Sequence, residues 1–309
     1  MWKRYIKDPL LLVLAAVFLF SSGCGTTKSV LNSLKPKEVA KKILPGKECL
    51  KKRLMVFPFV DYAGYGPERT ARVENLFMDF MKRSPNILIA KPGKRAPQSP
   101  QKTPGRFGIF LDPYQIQLAR EEGMNALLIG TLSPVEIKTE KKGIWPFRKQ
   151  RTTFEVSLVI SLVDVRRGTI IFTQSESEIE SFSTVDAQMM EEQAIFEHIL
   201  KTSIKNISKR QASDALERLE DEPWMGTVLD FTGNSLKINA GSRLGAKVGD
   251  RFEVFAPGHC VSSQDGRLLN LVGRKIGEIE INSLTDENSL ATPLGEGPFE
   301  KGQTIRFMP

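Results

Sequence analysis

The chain has 309 residues, long enough for two domains with separate cores. Hydrophobic residues at 40% and charged residues at 26% exclude a disordered chain and a multi-span membrane protein. The net charge of +8 suits nucleic acid only in a cytosolic protein; in an exported one it points to acidic headgroups, cell wall or an acidic protein surface.

The N-terminus decides between these. Lys3, Arg4 and Lys7 precede an unbroken apolar run over residues 10–20, and Ser21, Ser22, Gly23 and Cys24 follow. The run is short for a bilayer span and suits a signal-peptide core over residues 1–23. The Ser-Ser-Gly-Cys stretch resembles a bacterial lipobox, in which cleavage leaves Cys24 as an acylated N-terminus. Ser21 stands where a lipobox prefers Leu, so ordinary cleavage or an uncleaved anchor are the alternatives. Gly25 follows the Cys in place of the Asp that often marks inner-membrane retention, so the expected location is the periplasmic face of the outer membrane, lipid-anchored. Residues 24–52 read as a tether. Its stretch 35–53 carries eight cations, Lys35 to Arg53, against Glu38 and Glu48, and either supplements the acyl chains at anionic headgroups or is a solvated linker. Cys49 and Cys260 either pair or remain as two isolated buried thiols. His198 and His259 stand alone, so neither a metal site nor a histidine triad is supported.

Residues 53–220 read as an α+β domain of order βαβαβββα, a mixed sheet with packed helices. The apolar run 54–60 predicts a buried strand. The turn 63–66 follows, with Gly64 and Gly66 as turn residues, and then a helix with Pro67 near its first position. Val73, Leu76, Phe77, Phe80 and Met81 form the stripe that packs on the sheet. Residues 87–89 predict a second strand, 91–108 a loop, and Asp112 caps a short helix ending near Gly123. A third strand runs from Ala126 to Thr139. Phe154, Val156, Leu158, Ile160 and Leu162 alternate along a fourth, a turn at 166–168 follows, and 169–180 return. A long helix then begins near Ser183 or Asp186, with Met190, Ala194, Ile195, Ile199, Ile204 and Ile207 inward. Residues 223–309 read as a small β-barrel, with strands at 227–231, 235–238, 251–255, 274–283, 289–293 and 303–307.

Residues 53–59 (RLMVFPF), 125–131 (NALLIGT) and 162–170 (LVDVRRGTI) resemble the periplasmic α/β domain shared by the curli-secretion lipoprotein CsgG and the middle domain of the flagellar protein FlgT. Residues 236–254 (LKINAGSRLGAKVGDRFEV), 272–281 (VGRKIGEIEI) and 299–303 (FEKGQ) are similar to the C-terminal SH3-like barrel of FlgT-type proteins. The glycines at 241, 245 and 249 also read locally, as positions needing positive φ, with Asp250 as a cap.

The resemblance implies envelope assembly: an outer-membrane lipoprotein that is a non-catalytic structural part of a flagellar or secretion ring, working with envelope assembly proteins and as a homo-oligomer ring, with no nucleic acid. A curli-type export channel subunit and a lipoprotein activator of a cell-wall synthase are the alternatives. A channel needs long hairpins with an apolar lipid-facing row. Here the equivalent hairpin holds only residues 140–151, and 181–186 join strand to helix directly. No catalytic constellation, phosphate loop or cofactor signature is legible, so the expectation is not an enzyme, with no cofactor and no metal. The candidate contact residues lie in the 140–151 tip: Ile144, Trp145 and Phe147 among Lys141, Lys142, Arg148, Lys149 and Arg151. Either this tip meets a headgroup layer or a partner, or its Trp folds back on the sheet.

Overall fold

The structure is a computed structural model that describes residues 49–93, 112–264 and 268–309. The leader, Cys24, the tether up to residue 48 and residues 94–108 of the expected 91–108 loop lie outside the described residues. The fold is α+β: a mixed sheet with helices against it, followed by a closed six-stranded antiparallel barrel.

Apolar runs buried on both faces form the middle of the sheet. β1 (Lys52–Val56) pairs in parallel with β3 (Ile87–Ala90) and with β4 (Ala126–Leu132), and the short β2 (Val60–Asp61) also runs parallel to β4. Along β1 and β4 successive side chains enter different cores. Leu54, Val56, Ala126 and Leu128 face one helix layer, while Met55, Phe57, Leu127 and Ile129 face the other. The run 54–60 is therefore split, because Pro58 has no N–H to continue the ladder.

The first layer holds α1 (Pro67–Met81), whose stripe is where the spacing places it: Val73, Phe77, Phe80 and Met81 are buried and Leu76 packs against them. The second layer is α2 (Pro113–Glu121). Its N-cap Asp112 accepts from the Tyr114 backbone N–H at 2.9 Å.

β6 (Lys149–Asp164) runs antiparallel to β4, with Phe154, Val156, Leu158, Ile160 and Leu162 all buried under the first layer. The third strand does not continue unbroken to Thr139. It stops at Leu132 and resumes as β5 (Glu136–Lys142) along the same edge of β6, interrupted at Ser133, Pro134 and Val135 where Pro134 offers no donor. β7 (Thr169–Ser183) covers the opposite edge of β6 and ends at Ser183, which caps α3 (Thr184–Met189) by accepting from the Asp186 N–H.

The expected single long helix is broken. After α3 the chain is extended at Met190 and Glu191, then forms α4 (Glu192–Ile199), a π turn (Leu200–Ile204) and α5 (Lys205–Asp221). Ala194 is exposed and Phe196 is buried in the position assigned to it. Lys52 is buried beneath the end of α5, where its ammonium donates to the carbonyls of Leu219, Glu220 and Glu222. Burial pushes its pKa down, against neighbouring acids that raise it.

The barrel joins β8 (Met225–Thr232), β9 (Ser235–Ile238), β10 (Arg251–Phe255), β13 (Lys275–Leu284), β14 (Ser289–Pro293) and β15 (Thr304–Met308). A separate hairpin, β11 (Cys260–Ser262) with β12 (Leu268–Asn270), was not foreseen. Gly245 and Gly249 have φ of 90° and 92°, as the turn chemistry requires. Gly241 has φ −101°, and its reason is close approach instead: a Cβ there would lie 2.3 Å from the Asp286 carbonyl oxygen. Asp250 caps this stretch by accepting from the Lys247 N–H at 2.8 Å. Cys49 and Cys260 are both free and exposed, which corrects the buried-thiol and disulfide readings together.

The sheet and barrel share backbone hydrogen bonds and a core. Lys51 N–H donates to the Leu244 carbonyl at 2.8 Å, and the Trp224 indole N–H donates to the Lys51 carbonyl at 3.2 Å. The Asn125 amide donates to the Met225 carbonyl at 2.6 Å. Leu50 and Leu88 reach into the barrel core beside Trp224 and Phe252.

Candidate functional site: the tip of the β5–β6 hairpin

The β5–β6 ladder pairs Glu136 with Glu155 through to Lys142 with Lys149. Its last rung with a buried member is Thr139–Thr152; three rungs further, at about 3.3 Å of rise each, the strands end roughly 10 Å beyond the body. Every residue of β5 is exposed. The turn is closed by the Phe147 N–H donating to the Ile144 carbonyl at 2.7 Å. Gly143 opens it at φ 120°, and a Cβ there would sit 3.0 Å from the Phe147 carbonyl oxygen.

This turn presents Ile144, Trp145 and Phe147 at 84%, 78% and 82% exposure. Trp145 does not fold back on its own sheet. Cations stand directly behind these side chains, with Lys142 opposite Lys149 and Glu140 opposite Arg151. Glu140 lies 4.0 Å from Lys142, and among the described residues Lys141, Arg148, Lys149 and Arg151 have no ion-pair partner. One step nearer the body the charges are paired again, with Lys138 at 2.8 Å from Glu136 and 3.7 Å from Glu155.

The site has a second apolar element that the sequence reading missed. α3 begins at the base of the hairpin, where the Thr152 hydroxyl donates to the Thr184 hydroxyl at 3.4 Å. It buries none of its residues, and Val185 and Met189 are exposed. Six residues make too short a window for a helical stripe to register, and the expected long helix absorbed them.

A cleft of about 520 Å³ lies between β2 and the start of α1, lined by Phe59, Asp61, Tyr62, Thr70 and Glu74. Its carboxylates hold the fold. Asp61 accepts from the Gly66 N–H at 2.8 Å, and Glu74 pairs with Lys91 at 2.9 Å and accepts from the Phe59 N–H at 3.4 Å. Gly64 and Gly66 are turn residues, both at positive φ, and Gly66 lines the cleft. The neighbouring Tyr65 hydroxyl has its pKa pushed up to about 12, by burial first and then by Asp61.

His198 meets Glu180 at 3.4 Å, and the Ser203 hydroxyl donates to the same carboxylate at 2.6 Å. This group belongs to a structural row in which Glu176, Glu178 and Glu180 on β7 face Arg210, Asn206 and Ser203 from the helices. Among the described residues, no group of three or more His, Cys, Asp or Glu is placed to hold a metal ion. No described helix is long and apolar enough to cross a membrane.

No family model matches the chain, and neither does any curated protein. Among solved structures, the chain is similar to the PelC dodecamer from Paraburkholderia phytofirmans at 12% identity, over 56% of this chain and 91% of that one, with a TM-score of 0.30. It is similar to the hypothetical protein CT253 from Chlamydia trachomatis at 15% identity, over 55% and 96% of the two chains, with a TM-score of 0.32. Lipoprotein GNA1162 from Neisseria meningitidis matches at 14% identity, over 55% and 99%, with a TM-score of 0.28.

Proposed function

We propose that the chain is a non-catalytic lipoprotein of the outer membrane's periplasmic face, anchored through Cys24 and acting as a structural part of an envelope machine, a flagellar or secretion ring. The observation that carries this reading is the hairpin tip, where three large apolar side chains are exposed among unpaired cations at the end of a two-stranded ladder. Such a surface binds; it has no nucleophile, base or oriented acid with which to do chemistry. The lipobox-like leader and the likeness of the two modules to CsgG and FlgT domains support the envelope setting. A spanning pore is disfavoured, because β5 places Glu or Lys on both faces of its strand and so lacks a lipid-facing apolar row.

Negative-stain imaging of the full-length chain extracted in mild detergent tests the ring. Closed rings of uniform size are the expected result. Dispersed monomers would overturn self-assembly and favour an adaptor, such as an activator that contacts a cell-wall synthase.

A further inference from the structure

We propose that the tip of the β5–β6 hairpin enters the headgroup layer of an anionic membrane, with Ile144, Trp145 and Phe147 at the acyl boundary and Lys142, Arg148 and Lys149 at the phosphates. The proposal rests on the envelope reading above and names what the tip meets there.

The residues are layered as a bilayer interface is layered. The apolar side chains occupy the apex, and Lys142 and Lys149 form the next rung. Glu140 and Arg151 stand two rungs further back, about 7 Å at strand rise. An interfacial element buries its apolar face about 5–10 Å deep, with Trp favoured at headgroup level and Lys and Arg reaching the lipid phosphates. The charge is complementary: five cations lie against one acid between residues 140 and 151.

A protein partner fits less well. Three such side chains offer roughly 450 Å² of apolar surface, whereas a stable protein interface buries about 800 Å² per partner around a core that excludes water. The tip is a narrow two-stranded ridge with no flanking rim. A lipid surface asks only for depth and charge.

The test uses the full-length chain reconstituted into phosphatidylcholine vesicles, with or without about a third phosphatidylglycerol, the acyl chains brominated at a shallow position. Trp2 belongs to the leader, which the mature lipidated chain lacks, and Trp224 is buried, so the quenching of the mature chain that disappears in W145F reports the tip. Quenching is expected in the anionic vesicles and should fall at least ~2-fold when salt is raised from about 0.1 to about 0.5 M, as screening shortens. R148E/K149E should lower it similarly, and I144S/F147S should lower it with the charge intact. Far-UV circular dichroism confirms that these surface variants fold.

Equal, unquenched emission in both vesicle types overturns the proposal and leaves the tip to a protein partner. Flotation with phosphatidylcholine alone reads the acyl anchor separately. A chain that fails to float there overturns the lipoprotein reading, while the tip is still judged on quenching by the anionic vesicles.

Discussion

Replacing Trp224 with Ala tests whether sheet and barrel form one folding unit. The indole is 5% exposed, packs edge-on against Phe252 at 5.8 Å and donates to the Lys51 carbonyl. Beneath it Gly226 leaves room for the ring, since a Cβ there would lie 2.4 Å from the indole. Burying about 200 Å² of ring at about 25 cal/mol per Å² amounts to ~5 kcal/mol, of which an Ala methyl retains a small part. The expected loss is therefore about 4 kcal/mol, within the range for Trp truncation in a core. Trp224→Phe keeps most of the apolar contact and loses the hydrogen bond, so its loss should be about 1–2 kcal/mol. Urea unfolding followed by far-UV circular dichroism reads both variants. Because Leu50 and Leu88 from the sheet side sit in the barrel core, the parent should unfold in a single transition. A W224A variant within about 1 kcal/mol of the parent, or a parent with two resolved transitions, would refute the shared core.

Gly130 lies in β4 under the Phe59 ring, and an added Cβ would stand 2.6 Å from three of its atoms. Gly130→Ala must displace Phe59 from Phe77 and should cost about 1–3 kcal/mol; adding Phe59→Leu should recover part of that in a double-mutant cycle, and strict additivity would count against the clash. Glu180 and Glu253 are pushed up by burial but pulled further down by donors, Ser203 and His198 for the first and Arg306 and Lys275 for the second. Their folded pKa values lie below the ordinary value of 4.5, so the stabilisation is full above that pH and is lost as pH falls through the folded values. Glu253→Gln should flatten the acid limb of a stability–pH curve while changing its shape little above about pH 6, and an unchanged acid limb would refute the assignment.

How much of this was legible in the sequence depends on which physical rule set each feature. The alternation from Phe154 to Leu162 and the stripe from Val73 to Met81 each report a single buried face, and both were readable because period follows burial. The barrel strands were readable because glycine turns punctuate them. The interruption at Pro134 was hidden: β5 continues along β6, so Ile137 and Thr139 keep the strand period while only the backbone ladder breaks. One helix break leaves a trace in the sequence. Ile199 and Ile204 are five apart, one more than an α-helical face allows, and the π turn over Leu200–Ile204 absorbs the extra residue. Exposure of the tip was not decided by the sequence, since Trp145 on its own sheet and Trp145 in solvent have the same local sequence; the cations on either side, Lys141–Lys142 and Arg148–Lys149, fit both.

The body of the protein shows what the tip would look like if it served folding alone. There many charges are paired: Arg69 with Glu192 and Arg72 with Glu197 join α1 to α4, Arg210 spans Glu176 and Glu178, and Arg306 and Lys275 share Glu253. A turn of the same length built for stability needs Gly, Asn or Ser, which have the required backbone freedom and expose no apolar surface. Ile, Trp and Phe at this turn each forgo about 1.5–3 kcal/mol of burial that the folded monomer never recovers. The cations around them weaken any tendency of the apex to collapse onto the sheet or onto another apex. Neither choice is explained by the stability of the isolated chain, and both are explained once the tip is buried against something anionic and apolar at the same depth.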